Sequence, residues 1–274
     1  MSLISMAKID KQFFDIGYMD TLATGDSPLH RLDPRAKLIT TLVFIVAVVS
    51  FDKYALSALI PFFIYPVVQI STGGLPAGYL LKKVLLVSPF AVLIGIFNPL
   101  MDREILFYMG TISISGGWVS FLSILLRFIL TVAAALVLIA LTGFNAVCMA
   151  LAKLGVPNPF VVQLMFLYRY LFVLTDEATR MVRAWSLRSL SSRPMGFRTF
   201  GSLAGHLLLR TLDRAQRIHL AMCCRGFDGR IRIIRSMEIG YKEAGYVVGW
   251  SALFILLRYY NIPMKLGTLV KGFF

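Results

Sequence analysis

Charge is what this sequence has least of. Only 15% of its 274 residues are Asp, Glu, Lys or Arg, against roughly 25% in an ordinary soluble domain. Hydrophobic residues make up 58%, and so much apolar surface cannot be hidden inside one soluble core of this length. A water-soluble enzyme is thereby excluded and a bilayer is the expected environment, in line with a mean hydropathy of +0.76. Cysteine is scarce too. Cys148, Cys223 and Cys224 form an odd count with two adjacent, so no disulfide framework is expected and all three read as reduced. Cys223 and Cys224 diverge on a helix and read as packing residues. His30, His206 and His219 are far apart and lack a second ligand at metal spacing, so no metal site is expected. No Gly-x-x-x-x-Gly-Lys-Ser/Thr run is present, which excludes a P-loop and leaves nucleotide chemistry to a partner. The N-terminal stretch carries Asp10, Asp15, Asp20 and Asp26 and no apolar core of signal-peptide length, so no cleaved leader is expected.

Uncharged runs give the membrane map, because a spanning helix needs roughly 17 to 25 mostly apolar residues. They predict five spans, at 36–52, 54–71, 80–100, 118–141 and 243–260. Lys37 is expected to snorkel from the first span to the interface. Ser71 to Pro76 is a turn signal, and Ile112 to Gly117 reads as loop. Arg127 is the charge inside the fourth span and a functional candidate for that reason, although it lies where it can snorkel or face protein. Arg169 reads as a structural anchor. His30, Arg31, Arg35, Lys37, Lys82 and Lys83 fall on one side, Asp52, Lys53, Asp102, Arg103 and Glu104 on the other. The positive side is the cytoplasmic one, so the N-terminus and residues 143 to about 240 are expected there. The resulting organisation is a transmembrane region at 1–142, a cytoplasmic region at 143–238, and a last helix with its tail at 239–274.

The cytoplasmic region holds the unusual composition. Between Arg180 and Arg235 lie twelve arginines and no lysine, against Asp213 and Asp228 alone, a net of +10 in a chain whose total is +14. A short amphipathic helix is expected at 144–155, ended by Gly155 and Pro157. A long helix follows from Pro159 to about Leu190, apolar at first and then charged. Residues 191–196 break it, and a second helix runs from about Phe197 to Cys224.

An internal repeat relates these two helices. Laying 175–189 over 212–226 at an offset of 37 matches Asp176 with Asp213, Ala178 with Ala215, Arg180 with Arg217, Ala184 with Ala221 and Arg188 with Arg225. Each copy ends at an arginine followed by a small residue, Ser189 or Gly226, that permits the turn exposing the arginine. Arginines eight apart sit about 80° apart on a helix and share a broad face. The alanines Ala178, Ala184, Ala215 and Ala221 allow a close helix crossing. Guanidinium makes bidentate contacts that lysine does not, so a pair of arginine tips fits a paired acidic receptor, with a dimeric cytosolic partner the economical choice. The simpler reading is that the arginines complement helix dipoles and anionic headgroups.

With these features on the page, the chain resembles the transmembrane T component of energy-coupling factor (ECF) transporters, and among them the CbiQ-like subunits of cobalt and nickel uptake systems. Leu29 to Leu38, with Leu32, Asp33, Pro34, Arg35 and Lys37, is similar to the Leu-Asp-Pro-Arg-x-Lys-Leu signature that leads into the family's first span. Leu187-Arg188-Ser189 and Cys224-Arg225-Gly226 stand where the family has Ala-Arg-Gly-type motifs at the tips of its coupling helices. The first copy departs from the pattern by a leucine before the arginine and a serine after it. The resemblance implies an all-α membrane protein with about five transmembrane helices and two long cytoplasmic coupling helices, in a bacterial or archaeal plasma membrane. It implies a non-catalytic subunit coupling two ABC-type ATPases, which hold the ATP and Mg, to a separate CbiM-like substrate-binding membrane subunit that carries Co or Ni as cargo. Arg188 and Arg225 are then the ATPase-coupling residues, and no nucleic acid is a partner.

Alternatives from the residues are a vitamin as cargo, a membrane-anchored nucleic-acid-binding protein using its arginines, and a free-standing channel or carrier. The second predicts strongly salt-dependent binding with little effect of any single arginine. The third needs polar residues at the midplane, of which the spans offer few beyond Arg127 and scattered Ser and Thr.

Overall fold

The computed structural model describes residues 17–52, 56–101, 105–109, 112–189, 196–229 and 240–260. Asp10, Asp15, Lys53, the charged loop of Asp102, Arg103 and Glu104, the break at 191–195, and Arg230, Arg232 and Arg235 lie outside the described residues.

Helices dominate: α1 (Pro34–Val49), α2 (Leu56–Gly73), α3 (Ala77–Gly95), α4 (Gly116–Thr142), α5 (Phe144–Lys153), α6 (Asn158–Arg188), α7 (Phe197–Cys224) and α8 (Tyr241–Tyr260). A small antiparallel hairpin, β1 (Ile105–Met109) and β2 (Ile112–Ser115), precedes α4. This corrects the loop expected at 112–117: the Ile-Ser-Ile-Ser alternation makes a strand, and the helix starts at Gly116.

The chain is a multi-pass membrane protein. Among the described residues, four segments are long and apolar enough to cross a bilayer: Leu56–Gly73, Ala77–Pro99, Gly116–Thr142 and Asn158–Arg188. Helices occupy all five expected positions, but α1 and α8 are not among these four. At 16 residues α1 is about 24 Å long, short of a hydrocarbon core of roughly 30 Å.

Two compact units divide the chain, one drawn from Leu22–Gly143 and Met237–Phe274, the other from Met1–Thr21 and Phe144–Ser236. In the first, α1 begins as its sequence dictates. Asp33 is the N-cap, its carboxylate accepting the Arg35 N–H at 2.8 Å, and Pro34 fills the first turn, where no N–H is needed. Gly74 ends α2 in the left-handed conformation, φ +62°, and α3 starts after Pro76. Phe44 and Val48 of α1 pack with Leu59, Phe62 and Tyr65 of α2, Leu130 of α4 and Phe254 of α8. The Phe44 ring stacks on Tyr65 at 4.6 Å and meets Phe254 edge-on at 5.3 Å. At Gly73 a Cβ would stand 2.6 Å from Leu141 Cδ2, so α2 approaches α4 only because the side chain is missing.

Lys37 does not snorkel. It is 3% exposed, and its ammonium donates to the Leu141 carbonyl at 2.9 Å and to the His30 carbonyl at 3.5 Å. Leu141 sits in the last turn of α4, where carbonyls have no intrahelical partner, so a buried cation there is satisfied as a helix cap. Arg127 also turns to protein: its guanidinium donates to the Asp52 carbonyl.

Candidate functional site

The second unit carries the two arginine-tipped helices. From Phe160 to Arg188 there is neither Gly nor Pro, so α6 runs unbroken for 31 residues, about 46 Å. It starts at Asn158 and Pro159, directly after Pro157, as a helix N-terminus prefers. Asp20 fastens the start of α5 beside it, accepting the Tyr168 hydroxyl at 2.8 Å and the Phe144 N–H at 3.4 Å. Arg169 lines a cavity with Asp20 and Tyr168.

The two tips end differently. In α7 the Phe227 N–H donates to the Met222 carbonyl at 3.1 Å and the Gly226 N–H to the Cys223 carbonyl at 3.0 Å, with Gly226 at φ +76°. This is a Schellman motif, and Arg225 is its cap residue. Met222 and Phe227 line the same apolar groove, the hydrophobic contact that accompanies the motif. In α6 the cap is Ser189 at φ −81°, ψ 105°, its N–H donating to the Trp185 carbonyl at 3.0 Å. The chain there leaves in an extended conformation, not the left-handed turn expected of a small residue. Arg188 and Arg225 are both exposed, and Leu187 beside the first is 83% exposed.

The sense of the contacts fixes how the helices cross. Gln163, Phe166 and Tyr170 of α6 share a groove with Ile218 and Met222 of α7, whereas Ala184, Trp185 and Arg188 share a cleft with Leu203 and His206. Rising numbers on one helix meet falling numbers on the other, so α6 and α7 pass antiparallel and their arginine tips stand at opposite ends of the crossing. Along the two axes the tips are at most about 36 Å apart at 1.5 Å per residue.

Between the tips, Asp176 and Asp213 are exposed and Glu177 is half-buried. Glu177 accepts Arg210 Nη1 at 2.5 Å and Arg180 Nη2 at 3.2 Å, and Arg214 Nη2 lies 4.0 Å away. The Glu177 side chain is only 16% exposed, while those of its arginines are 68%, 64% and 39% exposed. Arg210 and Arg214 belong to α7, so this carboxylate ties the two helices together. Its signal was in the repeat: at the offset of 37, Glu177 stands over Arg214, an acid over a base beside the matched Asp and Ala.

The other expected residues fall around this point. Ala178 is half-buried next to Glu177. Ala184 and Ala215 are exposed along the two faces of the crossing, and Ala221 is exposed nearer the tip of α7. Cys223 and Cys224 are exposed, which corrects their reading as packing residues; in the last turn of α7 it is Met222 that lines the groove shared with α6. Cys223 Sγ lies 3.7 Å from His219 Nε2. Among the described residues no group of three or more His, Cys, Asp or Glu is placed to hold a metal ion. Leu32, Asp33, Pro34, Arg35 and Lys37 sit in the other unit, where Asp33 and Lys37 serve as helix caps and Arg35 Nε lies 3.9 Å from Asp33.

Comparison with known proteins places this architecture. The chain is 27% identical over 251 residues to the energy-coupling factor transporter transmembrane protein EcfT of Bacillus subtilis, covering 85% of this chain and 94% of that one. It is 28% identical over 260 residues to the protein of the same name from Acidaminococcus fermentans, covering 87% and 95%. A shorter match, 27% identical over 121 residues, joins 43% of this chain to 45% of the length of an uncharacterized protein of Methanocaldococcus jannaschii. The family model described as CbiQ, cobalt transport protein, matches residues 25–235, well over half of the chain, and the chain belongs to the CbiQ family.

Proposed function

We propose that this membrane protein is the T component of an ECF-type importer, the subunit that carries ATP-driven motion from two cytosolic ATPases to a separate substrate-binding membrane subunit. The observation that carries the reading is the antiparallel pair α6 and α7, with an exposed arginine at each far end and a carboxylate tying the middle. Two tips pointing apart suit two copies of one receptor better than a single groove does. A guanidinium at each tip can donate a bidentate pair of hydrogen bonds into an acidic or carbonyl-lined groove. The relatives named as ECF transporter transmembrane proteins support the same role.

In this reading Arg188 and Arg225 each engage one ATPase. ATP, held with Mg by those partners, closes the ATPase dimer and displaces the tips relative to each other. The crossing passes the displacement to the membrane subunit that holds the cargo. The cargo is cobalt or nickel, a reading supported by the family's description as a cobalt transport protein. The N-terminus and the arginine tips face the cytoplasm of the cell whose plasma membrane holds the complex, supported by the basic residues flanking α1 and α3. The chain itself catalyses nothing in this scheme.

The test is affinity purification of the solubilised chain from its native membrane as wild type, Arg188→Ala, Arg225→Ala and the double variant. ATPase subunits are expected to co-purify with wild type, to weaken with each single change and to vanish with both. Their retention by the double variant, or their absence from wild type, overturns the reading.

A further inference from the structure

Glu177 is the acid that faces the crossing of α6 and α7, and it does so among arginines from both helices. Its contact with Arg210 at 2.5 Å spans 33 residues of chain and is a charge-assisted hydrogen bond, the strongest class available to a side chain. Arg180, one turn along its own helix, and Arg214, one turn along the other, complete a set of three guanidinium groups on one carboxylate. Among the described residues no other ion pair joins the two helices: the groove on one side of Glu177 is lined chiefly by apolar side chains such as Phe166, Tyr170 and Ile218, which can slide, and the cleft on the other side holds Ala184, Trp185 and Leu203. A sliding contact alone does not hold an angle between two helices. An ion-pair cluster at one point does, because its hydrogen bonds have direction.

The position matters as much as the strength. Glu177 is eleven residues from Arg188, and the arginines it meets on α7 are eleven and fifteen residues from Arg225, so the cluster lies near the midpoint between the tips. A link at the midpoint of two crossed rods sets the separation of both ends together. The exposure of the arginines leaves the cluster able to re-form in a second geometry: Arg210 and Arg214 are four residues apart, one helical turn, so the carboxylate can exchange one for the other as the helices shift by a turn.

We infer that Glu177 is the positioning residue of the coupling pair, a pivot that holds α6 against α7 through Arg210 and Arg214 so that displacement of one arginine tip moves the other. The inference rests on the function proposed above for the tips, but the pivot itself is measurable on the isolated chain. Removing the charge and keeping the shape, Glu177→Gln, uncouples the tips. Exchanging the charges, Glu177→Arg with Arg210→Glu, restores the link.

The experiment has two arms. In the first, spin labels are placed at Leu187→Cys and at native Cys223 of the full-length chain, with Cys224→Ser, Cys148 being buried. The distribution of tip-to-tip distances is read by pulsed electron resonance in lipid nanodiscs. Wild type is expected to give one narrow distribution, Glu177→Gln one about twofold wider, and the exchanged pair a narrow one again. A Glu177→Gln distribution as narrow as wild type overturns the pivot, and so does a widening that the exchange does not reverse. In the second arm, complexes with the ATPases are compared in proteoliposomes for radioactive Co²⁺ taken up per ATP hydrolysed. Glu177→Gln is expected to keep hydrolysing ATP while uptake per ATP falls about tenfold, and the exchanged pair to recover it. An unchanged ratio overturns the positioning role. If ATPases fail to assemble with wild type, the proposed function fails while the first arm still decides the pivot.

Discussion

Lys37 Nζ lies 2.9 Å from the carbonyl oxygen of Leu141, so a cation in the first turn of α1 closes the last turn of α4. The bond crosses 104 residues of chain and is buried. Its acceptor is one of the carbonyls that a helix end leaves without a partner, and Gly143 at φ +79° lets the chain turn away immediately beyond it.

Replacement of Lys37 is therefore expected to destabilise the membrane unit. Lys37→Met preserves the length and apolar stem but leaves the Leu141 carbonyl buried without this donor, at a loss of about 1–3 kcal/mol. Thermal unfolding in detergent should show a lower midpoint for Lys37→Met and a smaller loss for Lys37→Arg. A midpoint equal to that of wild type would remove the cap from the account.

His30 gives the protein a stability that depends on pH. Its Nε2 lies 3.0 Å from the Leu22 carbonyl and so carries the hydrogen, and its Nδ1 lies 2.6 Å from Ser27 Oγ, a hydroxyl from which the neutral ring accepts. Burial lowers its pKa below the ordinary 6.5; the bond to Leu22 and Asp26 oppose the shift and Lys37 adds to it. The unfolded chain then takes up a proton near pH 6.5 that the folded chain refuses, so this contribution is complete above that value and is lost as pH falls through the interval below it. Unfolding measured at pH 7.5 and at pH 5.5 should show wild type losing more stability on acidification than His30→Gln does. Equal losses would mean that His30 does not titrate between these values.

The two arginine tips should respond differently to substitution of the residue that follows each. Gly226 is at φ +76° within the Schellman motif, so Gly226→Ala forces a side chain into the left-handed region at about 1 kcal/mol. Ser189 is at φ −81°, where any residue is comfortable, and Ser189→Ala loses only the hydroxyl bond to the Ser186 carbonyl at 3.2 Å. Hydrogen exchange should show about fivefold faster exchange at the Gly226 and Phe227 amides in the first variant and little change at Ser189 in the second. Equal effects at both ends would mean that the tips share one geometry after all.

What the sequence displays and what it conceals divides by distance along the chain. Gly196 and Gly226 bracket α7, and Pro157 and the run without Gly or Pro bracket α6, so both helices are legible nearly to the residue. The turn after Gly73 and the short helix ended at Gly155 are legible for the same local reason. Lys37 is not. Hydropathy assigns a lysine at a helix start to the interface, and nothing near it announces a carbonyl at Leu141. Glu177 is hidden by its setting, a segment that reads as basic, although its alignment over Arg214 carries the clue. The strand at 112–115 was signalled by strict alternation but masked by Gly116 and Gly117, which favour a loop reading.

The position of Arg127, well inside α4, follows from the shortness of α1. A helix of about 24 Å ends before a hydrocarbon layer of roughly 30 Å does, and its last carbonyls then need donors that lipid cannot supply. Arg258 of α8 donates to the carbonyls of Ala47 at 3.4 Å and Ser50 at 3.2 Å and lies over the Phe51 ring at 5.0 Å, while Arg127 of α4 reaches the carbonyl of Asp52. Two arginines from two helices thus close one helix end. Arg258→Ala and Arg127→Ala are each expected to lower stability by about 1–3 kcal/mol. Because both serve carbonyls within the same six-residue stretch, 47–52, the double variant should depart from the sum of the singles by at least about 0.5 kcal/mol. Arg258→Lys should recover only part of the loss, since an ammonium cannot fork between Ala47 and Ser50. Additive effects in a thermal double-mutant cycle would separate the two arginines and return Arg127 to the list of candidates for a role in transport.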